Sequence, residues 1–347
     1  MMRCKYLDHQ VCIRTSGEFR LCCTSLEPSH EYNIKTHTIT EWLNSDIHKK
    51  TIESIENGIL PDSCIRCRTH ELAGIQSMRQ RPLIYGPGLS HLDIRFSNKC
   101  NLQCVMCSPM SSSSLMIEHQ KLGNKSPWGV IEVEEFNWYN EDIALEIASI
   151  PTLREVYLTG GEPLMVRGLD KFINNLNRNV ELRFNTNGTI NNPKLYKLLT
   201  EFDKVQLAFS IDGLGKVNDY IRYGSSWNQI EDNLLLAKSY GFTVTVTPTI
   251  QIYNYPYLKD LWDYCDKHNI IHYDSILMTP NYLDIRNMPD RMREKYILSQ
   301  HETYLEDNHN DSELIKHFVD VTKTLDNSRN VDIRDYLPEV AEFYDFS

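Results

Sequence analysis

Cysteine is the residue type whose spacing most clearly indicates chemistry in this sequence. Three of the ten cysteines, Cys100, Cys104 and Cys107, stand within eight residues, separated by three residues and then by two. Thiolates are the usual ligands of iron–sulfur clusters, and one tight loop can bring three of them to a single cluster. Three ligands leave one iron of a [4Fe–4S] cluster open to a substrate or cofactor. A structural zinc site normally requires four ligands, and no fourth cysteine follows nearby.

The amino-terminal region contains six further cysteines. Cys64 and Cys67 form a pair with two residues between them, and Cys12 and Cys22 stand on two predicted short strands around Gly17. Two pairs give four ligands, a closed site that fits either zinc or a [4Fe–4S] cluster. We predict that Cys12, Cys22, Cys64 and Cys67 are the ligands of this site.

Two other cysteines in this region are alternatives. Cys23 could replace Cys22, because adjacent side chains of an extended segment point in opposite directions. Cys4 could reach the site, although we expect it to be spare. Since the predicted ligands are all thiolates and a second cluster motif follows, we favour an iron–sulfur cluster over zinc.

The cysteines must be held by secondary structure, and from about residue 91 the chain alternates strand-like and helix-like segments. The predicted strands are short and rich in β-branched or aromatic residues; they span 91–96, 155–158, 180–184, 205–209, 242–246 and, more weakly, 272–277. Helical patterns lie between them, as at 193–201 and 229–240. This alternation predicts an α/β fold with a parallel sheet and right-handed crossovers. Six units favour an open, partial (β/α)6 barrel, with its chemistry on the loops after the strands.

Three predicted strands are followed by segments with ligand-binding character. Thr159–Pro163 reads Thr-Gly-Gly-Glu-Pro, in which two glycines let the backbone approach a ligand and Glu162 can accept from a cationic amine. Asn185–Gly188 follows the next strand, and Ser210–Gly213 follows the one after it. Taken alone, the Gly-Gly-Glu-Pro segment is also compatible with a plain turn. Arg222, which follows Ser210–Gly213 in the sequence, is taken alone also compatible with a surface charge in solvent.

Together and in this order, these segments resemble the radical S-adenosylmethionine (SAM) superfamily over residues 91 to about 250. One departure is Met106, at a position that is often aromatic in that superfamily. The resemblance implies that Cys100, Cys104 and Cys107 hold a [4Fe–4S] cluster, which reduces SAM to methionine and a 5′-deoxyadenosyl radical. That radical would then remove a hydrogen atom from a substrate.

The resemblance also implies which residues bind SAM. The Gly-Gly-Glu-Pro segment would receive the methionine amino group, and Arg222 would meet the methionine carboxylate. The cofactor-binding residues that it implies are Gly160, Gly161, Glu162, Pro163, Asn185, Ser210, Asp212 and Arg222. The electron is expected from a partner such as flavodoxin or ferredoxin.

The amino-terminal cysteines resemble the auxiliary-cluster module called SPASM, or its shorter form, twitch. The resemblance rests on Cys12, Gly17 and Cys22, on Thr40–Ser45, and on Cys64–Cys67. In those families the module normally follows the barrel, whereas here it precedes it, and the second half of the SPASM cysteine set is missing. The resemblance therefore implies one auxiliary [4Fe–4S] cluster, hence two clusters in all, with electron transfer as its role.

These resemblances predict an enzyme that abstracts a hydrogen atom from its substrate and then oxidises or cross-links it, which leaves both an oxidoreductase and a transferase open. Families with this module often act on peptides, so a peptide is the predicted substrate. A nucleotide or small metabolite is the alternative among enzymes. A non-catalytic iron–sulfur electron-transfer protein is the alternative from another class, although such a protein would not need the Gly-Gly-Glu-Pro and Ser-Ile-Asp-Gly segments.

The remaining expectations concern domain bounds, nucleic-acid binding and cellular location. Residues 1–85 are predicted to form the auxiliary module, 86–285 the partial barrel and 286–347 a helical extension. The formal net charge of −11 argues against a general nucleic-acid binder. The sequence has no apolar run of spanning length and its first residues lack a secretory signal, so we expect no membrane association and a cytoplasmic location.

Overall fold

The computed structural model describes residues 4–25, 31–72, 76–80, 88–306 and 311–346. The predicted domain boundary between residues 85 and 86 lies outside these ranges. The strands are β1 Gln10–Ile13, β2 Phe19–Arg20, β3 His91–Ile94, β4 Gln103–Cys104, β5 Glu155–Leu158, β6 Glu181–Thr186, β7 Val205–Phe209, β8 Arg222–Tyr223, β9 Thr243–Val246, β10 Thr249–Ile250, β11 Ile271–His272 and β12 Ser275–Ile276. The helices are α1 Lys5–His9, α2 Ile39–Leu43, α3 Asp46–Glu56, α4 Ile65–Leu72, α5 Ser113–Leu122, α6 Glu141–Ala148, α7 Leu169–Asn175, α8 Pro193–Leu199, α9 Lys216–Ile221, α10 Trp227–Ser239, α11 Leu258–Lys267, α12 Asp290–Tyr296, α13 Glu302–Leu305, α14 Ser312–Arg329, α15 Ile333–Tyr336 and α16 Pro338–Ala341.

The chain divides into two compact units, of which unit 1 comprises Met1–Lys99, Glu135–Asn185 and Asn192–Gln206. Its strands lie in the order β6-β5-β3-β1-β2. The pairs β6–β5, β5–β3 and β3–β1 are parallel, whereas β1 and β2 form an antiparallel hairpin. Gly17 allows the hairpin turn because its φ of +89° is a backbone angle that residues with a side chain rarely adopt. The amino-terminal region therefore contributes the edge of the sheet, which strand patterns alone do not predict.

The two faces of the unit 1 sheet differ in chemistry, because successive side chains of a strand point to opposite faces. One face is apolar and is covered by α7, where Phe172 packs against Phe96 with ring centres 5.3 Å apart. Its buried strand residues are Val11, Ile13, Leu92, Ile94, Val156, Leu158, Leu182 and Phe184. The other face carries Gln10, Cys12, His91, Asp93, Glu155, Tyr157 and Arg183. Parallel strands covered on both faces are normally apolar throughout, so this polar face marks where unit 1 can do chemistry.

Unit 2 comprises Cys100–Glu134, Thr186–Asn191 and Leu207–Ser347. The last residues of β7 lie beside β9, and β9 pairs in parallel with β11. Two small sheets accompany these strands, an antiparallel one of β4 and β8 and a parallel one of β10 and β12. The loop that contains Cys100, Cys104 and Cys107 and the strand β8 that contains Arg222 therefore belong to the same compact unit.

The carboxyl-terminal helices form much of the core of unit 2. Phe318 and Leu325 of α14 are buried in an apolar cluster with Tyr253. At the end of α14, Arg329 forms a fully buried ion pair with Glu118 of α5, with an N–O distance of 2.8 Å. In the described residues after 286, the chain is mostly helical.

The predicted fold class, α/β with a mostly parallel sheet, is confirmed. The six predicted strands correspond to β3, β5, β6, β7, β9 and β11, and two of them, 155–158 and 205–209, have the predicted bounds. The sixth is shorter than predicted, because Ile271–His272 pairs with β9 whereas Ser275–Ile276 pairs with β10. Among the helices of the described residues, none combines the length and apolarity needed to cross a membrane.

Candidate active site

The loop Cys100–Cys107 of unit 2 is held mainly through its backbone. The hydroxyl groups of Ser113 and Ser114 both donate to the carbonyl oxygen of Cys100, at 3.1 and 2.8 Å. Further along the loop, β4 pairs with β8 so that Cys104 lies opposite Arg222. No disulfide forms among the cysteines of the described residues. The loop conformation therefore does not depend on a covalent link between its thiols.

Two thiols of this loop, those of Cys104 and Cys107, are harder to deprotonate than an exposed thiol because they are buried. Burial raises the pKa of Cys104 to about 12 and that of Cys107 to about 11. Metal binding must therefore displace their protons. The indole N–H of Trp128 donates to the carbonyl oxygen of Cys107 at 3.0 Å, a contact that no sequence motif around Trp128 indicates.

Arg222 and Asp212 form a buried ion pair beside the loop. Arg222 Nε lies 2.8 Å from Asp212 Oδ2, and Arg222 Nη1 lies 3.9 Å from Cys104 Sγ. Burial raises the pKa of Asp212, and Arg222 opposes that rise. Burial alone would lower the pKa of Arg222, but Asp212 and Cys104 raise it overall. Arg222 thus brings a positive charge to the thiol that a cluster would deprotonate.

Amide side chains lie at the other end of the loop. Asn187 Nδ2 donates to Cys100 Sγ at 3.7 Å and to Asn101 Oδ1 at 2.9 Å. Thr189 Oγ1 in turn donates to Asn187 Oδ1 at 2.7 Å, which fixes the orientation of the amide. Hydrogen bonds to sulfur stabilise a thiolate ligand and tune a cluster. Within the predicted turn 185–188, this contact is made by Asn187.

Asn185 and Ser210, which the resemblance assigns to SAM, both lie at strand ends. Asn185 is half-buried near the end of β6 in unit 1, and Ser210 is half-buried directly after β7 in unit 2. Within the described parts of the chain, neither side chain makes a hydrogen bond. Both are therefore available to a ligand.

The Gly-Gly-Glu-Pro segment of unit 1 follows β5 and forms backbone hydrogen bonds with the loop after β3. The backbone N–H of Glu162 donates to the carbonyl oxygen of Lys99 at 2.7 Å. A Cβ at Gly161 would lie 2.2 Å from that same oxygen, so only glycine fits there. Glu162 is 1% exposed, and its Oε1 accepts from the N–H of Leu164 at 3.0 Å. Lys99 directly precedes Cys100 in the sequence.

Four amino-terminal cysteines, Cys4, Cys22, Cys64 and Cys67, line one cavity of unit 1, which we call the four-cysteine cavity. Burial raises the pKa of Cys64 to about 12, and Cys22 and Cys4 add to the rise. Burial likewise raises the pKa of Cys4 to about 11, with contributions from Cys22 and Cys67. The four thiols are therefore mutual neighbours. In the chain as described, no three His, Cys, Asp or Glu side chains converge closely enough to hold a single metal ion.

Cys12 and Cys23 lie outside the lining of this cavity. Cys12 is fully buried in β1, in register with Asp93 of β3, and burial and Asp93 both raise its pKa. Burial raises the pKa of Cys23 to about 12, with Cys22 and Asp93 as the next causes. Of the adjacent pair, Cys22 lines the cavity, whereas Cys23 does not and interacts electrostatically with Asp93 of the polar face. The structure thus brings together three of the four predicted ligands, with Cys4 in the place predicted for Cys12.

Comparisons with known proteins extend these observations. The sequence pattern of the Radical SAM superfamily matches residues 94–268, just over half of the chain. An uncharacterized protein of Methanocaldococcus jannaschii is 26% identical over 187 residues, which cover 51% of this chain and 58% of that protein. The GTP 3′,8-cyclase of Helicobacter pylori is 30% identical over 129 residues, which cover 36% of each. The chain thus spans less than two thirds of the length of these relatives.

One solved structure is also similar to part of this chain. The structure of native anSMEcpe with bound AdoMet matches with a TM-score of 0.45 and 16% sequence identity. The match covers 69% of this chain and 60% of that chain.

Proposed function

Because the chain belongs to the radical SAM superfamily, a superfamily of enzymes, we propose that it cleaves SAM reductively and uses the resulting 5′-deoxyadenosyl radical to take a hydrogen atom from its substrate. The observation that carries this proposal is the loop of Cys100, Cys104 and Cys107, which backbone hydrogen bonds hold in place beside a guanidinium group. Arg222 and Asn187 would stabilise the negative charge of the thiolates, because each lies within 4 Å of a sulfur.

The donor set fits a [4Fe–4S] cluster. A four-iron cluster holds its thiolates farther apart than a single ion does, so the lack of a single-ion site among the described residues does not argue against it. When bound, the cluster would supply the electron that splits SAM, after receiving it from a partner such as flavodoxin or ferredoxin. The residues of the chain bind and orient the cofactor, and the buried carboxylate of Glu162 is the proposed acceptor for its amino group.

We propose a second [4Fe–4S] cluster at the four-cysteine cavity, held by Cys4, Cys22, Cys64 and Cys67. Four thiolates complete the ligand set, and the largely apolar wall of the cavity limits access of water. A fully ligated cluster has no open iron. We therefore infer that it accepts one electron from the substrate radical in a net oxidation, so that one SAM is consumed for each product.

A peptide is the substrate class that we propose, since families with the auxiliary module often act on peptides. A nucleotide is a second candidate, which the similarity to a GTP 3′,8-cyclase favours. Adding a peptide pool or nucleoside triphosphates separately to the reconstituted enzyme distinguishes the two. The true class should raise 5′-deoxyadenosine formation above the rate without substrate.

The first test is anaerobic reconstitution of the whole chain, followed by counting of iron and sulfide. About eight irons per chain would support two clusters of four. Dithionite and SAM are then added, and 5′-deoxyadenosine is measured by liquid chromatography. Bound iron without any 5′-deoxyadenosine would contradict the proposed reaction. About four irons with 5′-deoxyadenosine would leave the reaction standing and contradict the auxiliary cluster.

A further inference from the structure

We propose that Arg14 and Arg95, with Arg20 beside them, bind an anionic group of the substrate, either a carboxylate or a phosphate. All three belong to unit 1 and extend the polar face of its sheet. The inference rests on the proposed function, because the site adjoins the Gly-Gly-Glu-Pro segment that is expected to bind SAM. It adds a substrate anchor that the motifs of the sequence do not indicate.

The register of the sheet brings the three arginines to one face. Cys12 lies opposite Arg20 of β2 and opposite Asp93 of β3. Arg14 comes two residues after Cys12, and Arg95 comes two residues after Asp93. Side chains two residues apart on an extended chain share a face. The backbone N–H of Arg95 donates to the last residue of β1 at 3.0 Å, so the pairing of the two strands continues to this point.

One buried indole holds two of these arginines together. Trp138 Nε1 lies 2.8 Å from the carbonyl oxygens of both Arg14 and Arg95 and donates to both. The Trp138 ring is buried and packs against Phe96, with ring centres 4.7 Å apart. The backbone of both arginines is therefore fixed before any ligand binds, which lowers the entropic cost of binding.

The arginines carry positive charge that the described residues around them neutralise only in part. Arg95 Nε lies 3.7 Å from Asp93 Oδ1, too far for a hydrogen bond. Glu18 is the carboxylate near Arg20. Arg14 makes no side-chain hydrogen bond or ion pair with any residue in the described ranges. Among its charged neighbours, Arg95 and then Arg20 act most strongly on it, and both repel it.

Buried polar atoms on this face also lack partners. Within the described chain, Arg95 Nε, Arg20 Nε and Asp93 Oδ1 are buried without a hydrogen bond. Such atoms are costly to leave unpaired. An anion between the guanidinium groups would pair with the two nitrogens and neutralise the excess charge. A planar guanidinium binds carboxylate and phosphate alike, through two parallel hydrogen bonds.

The arginine site adjoins the segment expected to bind the cofactor. A Cβ at Gly160 would lie 3.3 Å from Arg95 Cβ, so the backbone of Gly160 packs directly on Arg95. An anion held by Arg95 would therefore be anchored beside the Gly-Gly-Glu-Pro segment. We expect this anchor to hold the substrate beside the segment that is proposed to bind SAM.

Calorimetric titration of the reconstituted protein tests the proposal, with inorganic phosphate and acetate as separate probes at constant ionic strength. One probe should bind wild-type protein, and Arg14→Gln or Arg95→Gln should weaken that binding about ten- to hundredfold, since each removes a charged hydrogen bond. Arg154→Gln is the matched control, because Arg154 is an exposed arginine of the same unit whose guanidinium donates to Leu153 O. It should bind the probe as wild type does.

The preferred probe identifies the substrate group, because phosphate indicates a phosphorylated substrate and acetate a carboxylate. Failure of both probes to bind wild-type protein overturns the proposal, and so does unchanged binding in both Arg14→Gln and Arg95→Gln. Thermal unfolding supplies a second measurement. Because Arg14 is repelled by its neighbours, Arg14→Gln should leave the Tm of the ligand-free protein unchanged or raise it. A clear fall would identify Arg14 as a structural cation and overturn the proposal.

Failure of this inference can be told apart from failure of the proposed function. Anion binding is measured without SAM or reductant, and 5′-deoxyadenosine is measured in wild-type protein without any anion probe. Formation of 5′-deoxyadenosine without anion binding overturns the arginine site alone. Specific anion binding without 5′-deoxyadenosine overturns the proposed reaction alone.

Discussion

The two cysteine sites of the molecule differ in how the chain assembles them. The loop Cys100–Cys107 collects three thiols from eight consecutive residues, and neighbouring hydroxyl groups of Ser113 and Ser114 hold its backbone. The four-cysteine cavity collects its thiols from separate elements, near α1, after the β1–β2 hairpin and at the start of α4. Spacing in the sequence describes the first kind of site well. The cavity depends on packing, and spacing alone does not predict which cysteines line it.

Replacing Cys104 gives the largest expected effect. Cys104→Ala removes the middle ligand of the loop, so the protein should lose about four irons per chain and all measurable 5′-deoxyadenosine. Iron analysis and chromatography after anaerobic reconstitution measure both. The iron of the four-cysteine cavity should remain, because that site belongs to unit 1 and shares no ligand with the loop.

Cys265→Ala is the matched control for this experiment. Cys265 is a fully buried thiol on α11, so its replacement should cost stability without removing iron. Full 5′-deoxyadenosine formation by Cys104→Ala would mean that the loop is not the catalytic cluster site. Equal loss of iron in both variants would point to misfolding instead.

The second prediction compares Cys4 with Cys12. Cys4→Ala should lose about four irons per chain, because it removes one of the four thiolate ligands proposed for the four-cysteine cavity. Cys12→Ala should keep the full iron content and lose about 1 kcal/mol of unfolding free energy for the buried sulfur. Iron content and the Tm of both variants check this. Iron loss in Cys12→Ala but not in Cys4→Ala would restore Cys12 as the ligand.

Cys22 and Cys23 sharpen the same comparison. Cys22→Ala should lose iron as Cys4→Ala does, whereas Cys23→Ala should not, since Cys23 lies outside the lining of the cavity and interacts electrostatically with Cys12 and Asp93. The two residues are adjacent and buried to a similar degree, so each serves as the control for the other. If both variants kept the full iron content, either thiol could serve as the ligand.

These differences show what the sequence could and could not predict. The strands 155–158 and 205–209 were predictable because each is a short run with β-branched and aromatic residues that is soon followed by glycine or serine. The segments after them also carry recognisable motifs. The pairing of β1 with β3 was not predictable, because the sequence of a four-residue strand does not indicate which strand it pairs with. That pairing puts Cys12 on the polar face of the sheet and away from the cavity. The place of Cys4 in the lining of the cavity was unpredictable for the same reason, since its neighbours in space are distant in sequence.

The third prediction concerns Gly161 and its contact with the loop backbone. A Cβ there would lie 2.2 Å from Lys99 O, a backbone atom that cannot rotate away. Gly161→Ala should therefore break the hydrogen bond from Glu162 N–H to Lys99 O and weaken SAM binding about tenfold or more. Equilibrium dialysis with SAM measures the affinity.

Gly241→Ala separates this clash from ordinary backbone strain. Gly241 has φ of +83° and open space around its Cβ position, so alanine there should cost about 1–2 kcal/mol of unfolding free energy and leave SAM binding unchanged. Wild-type affinity in Gly161→Ala would show that the close approach to Lys99 has no role in holding the cofactor.

The smallest expected effect tests the packing of α3, the helix of unit 1 that carries His48. His48 is 4% exposed and lies edge-on to Trp42, which in turn stacks on Phe19 of β2. Burial lowers the pKa of His48 below its ordinary value of 6.5. The unfolded chain therefore takes up a proton that the folded chain resists, so this contribution to stability is present above pH 6.5 and is lost as the pH falls below it. His48→Phe removes the titration and keeps an aromatic ring beside Trp42, so the fall in Tm between pH 7.5 and 5.5 should be smaller than in wild-type protein by roughly 2 °C. Comparing the two proteins cancels the titrations that they share. Parallel pH profiles would mean that the pKa of His48 is the same in the folded and the unfolded chain.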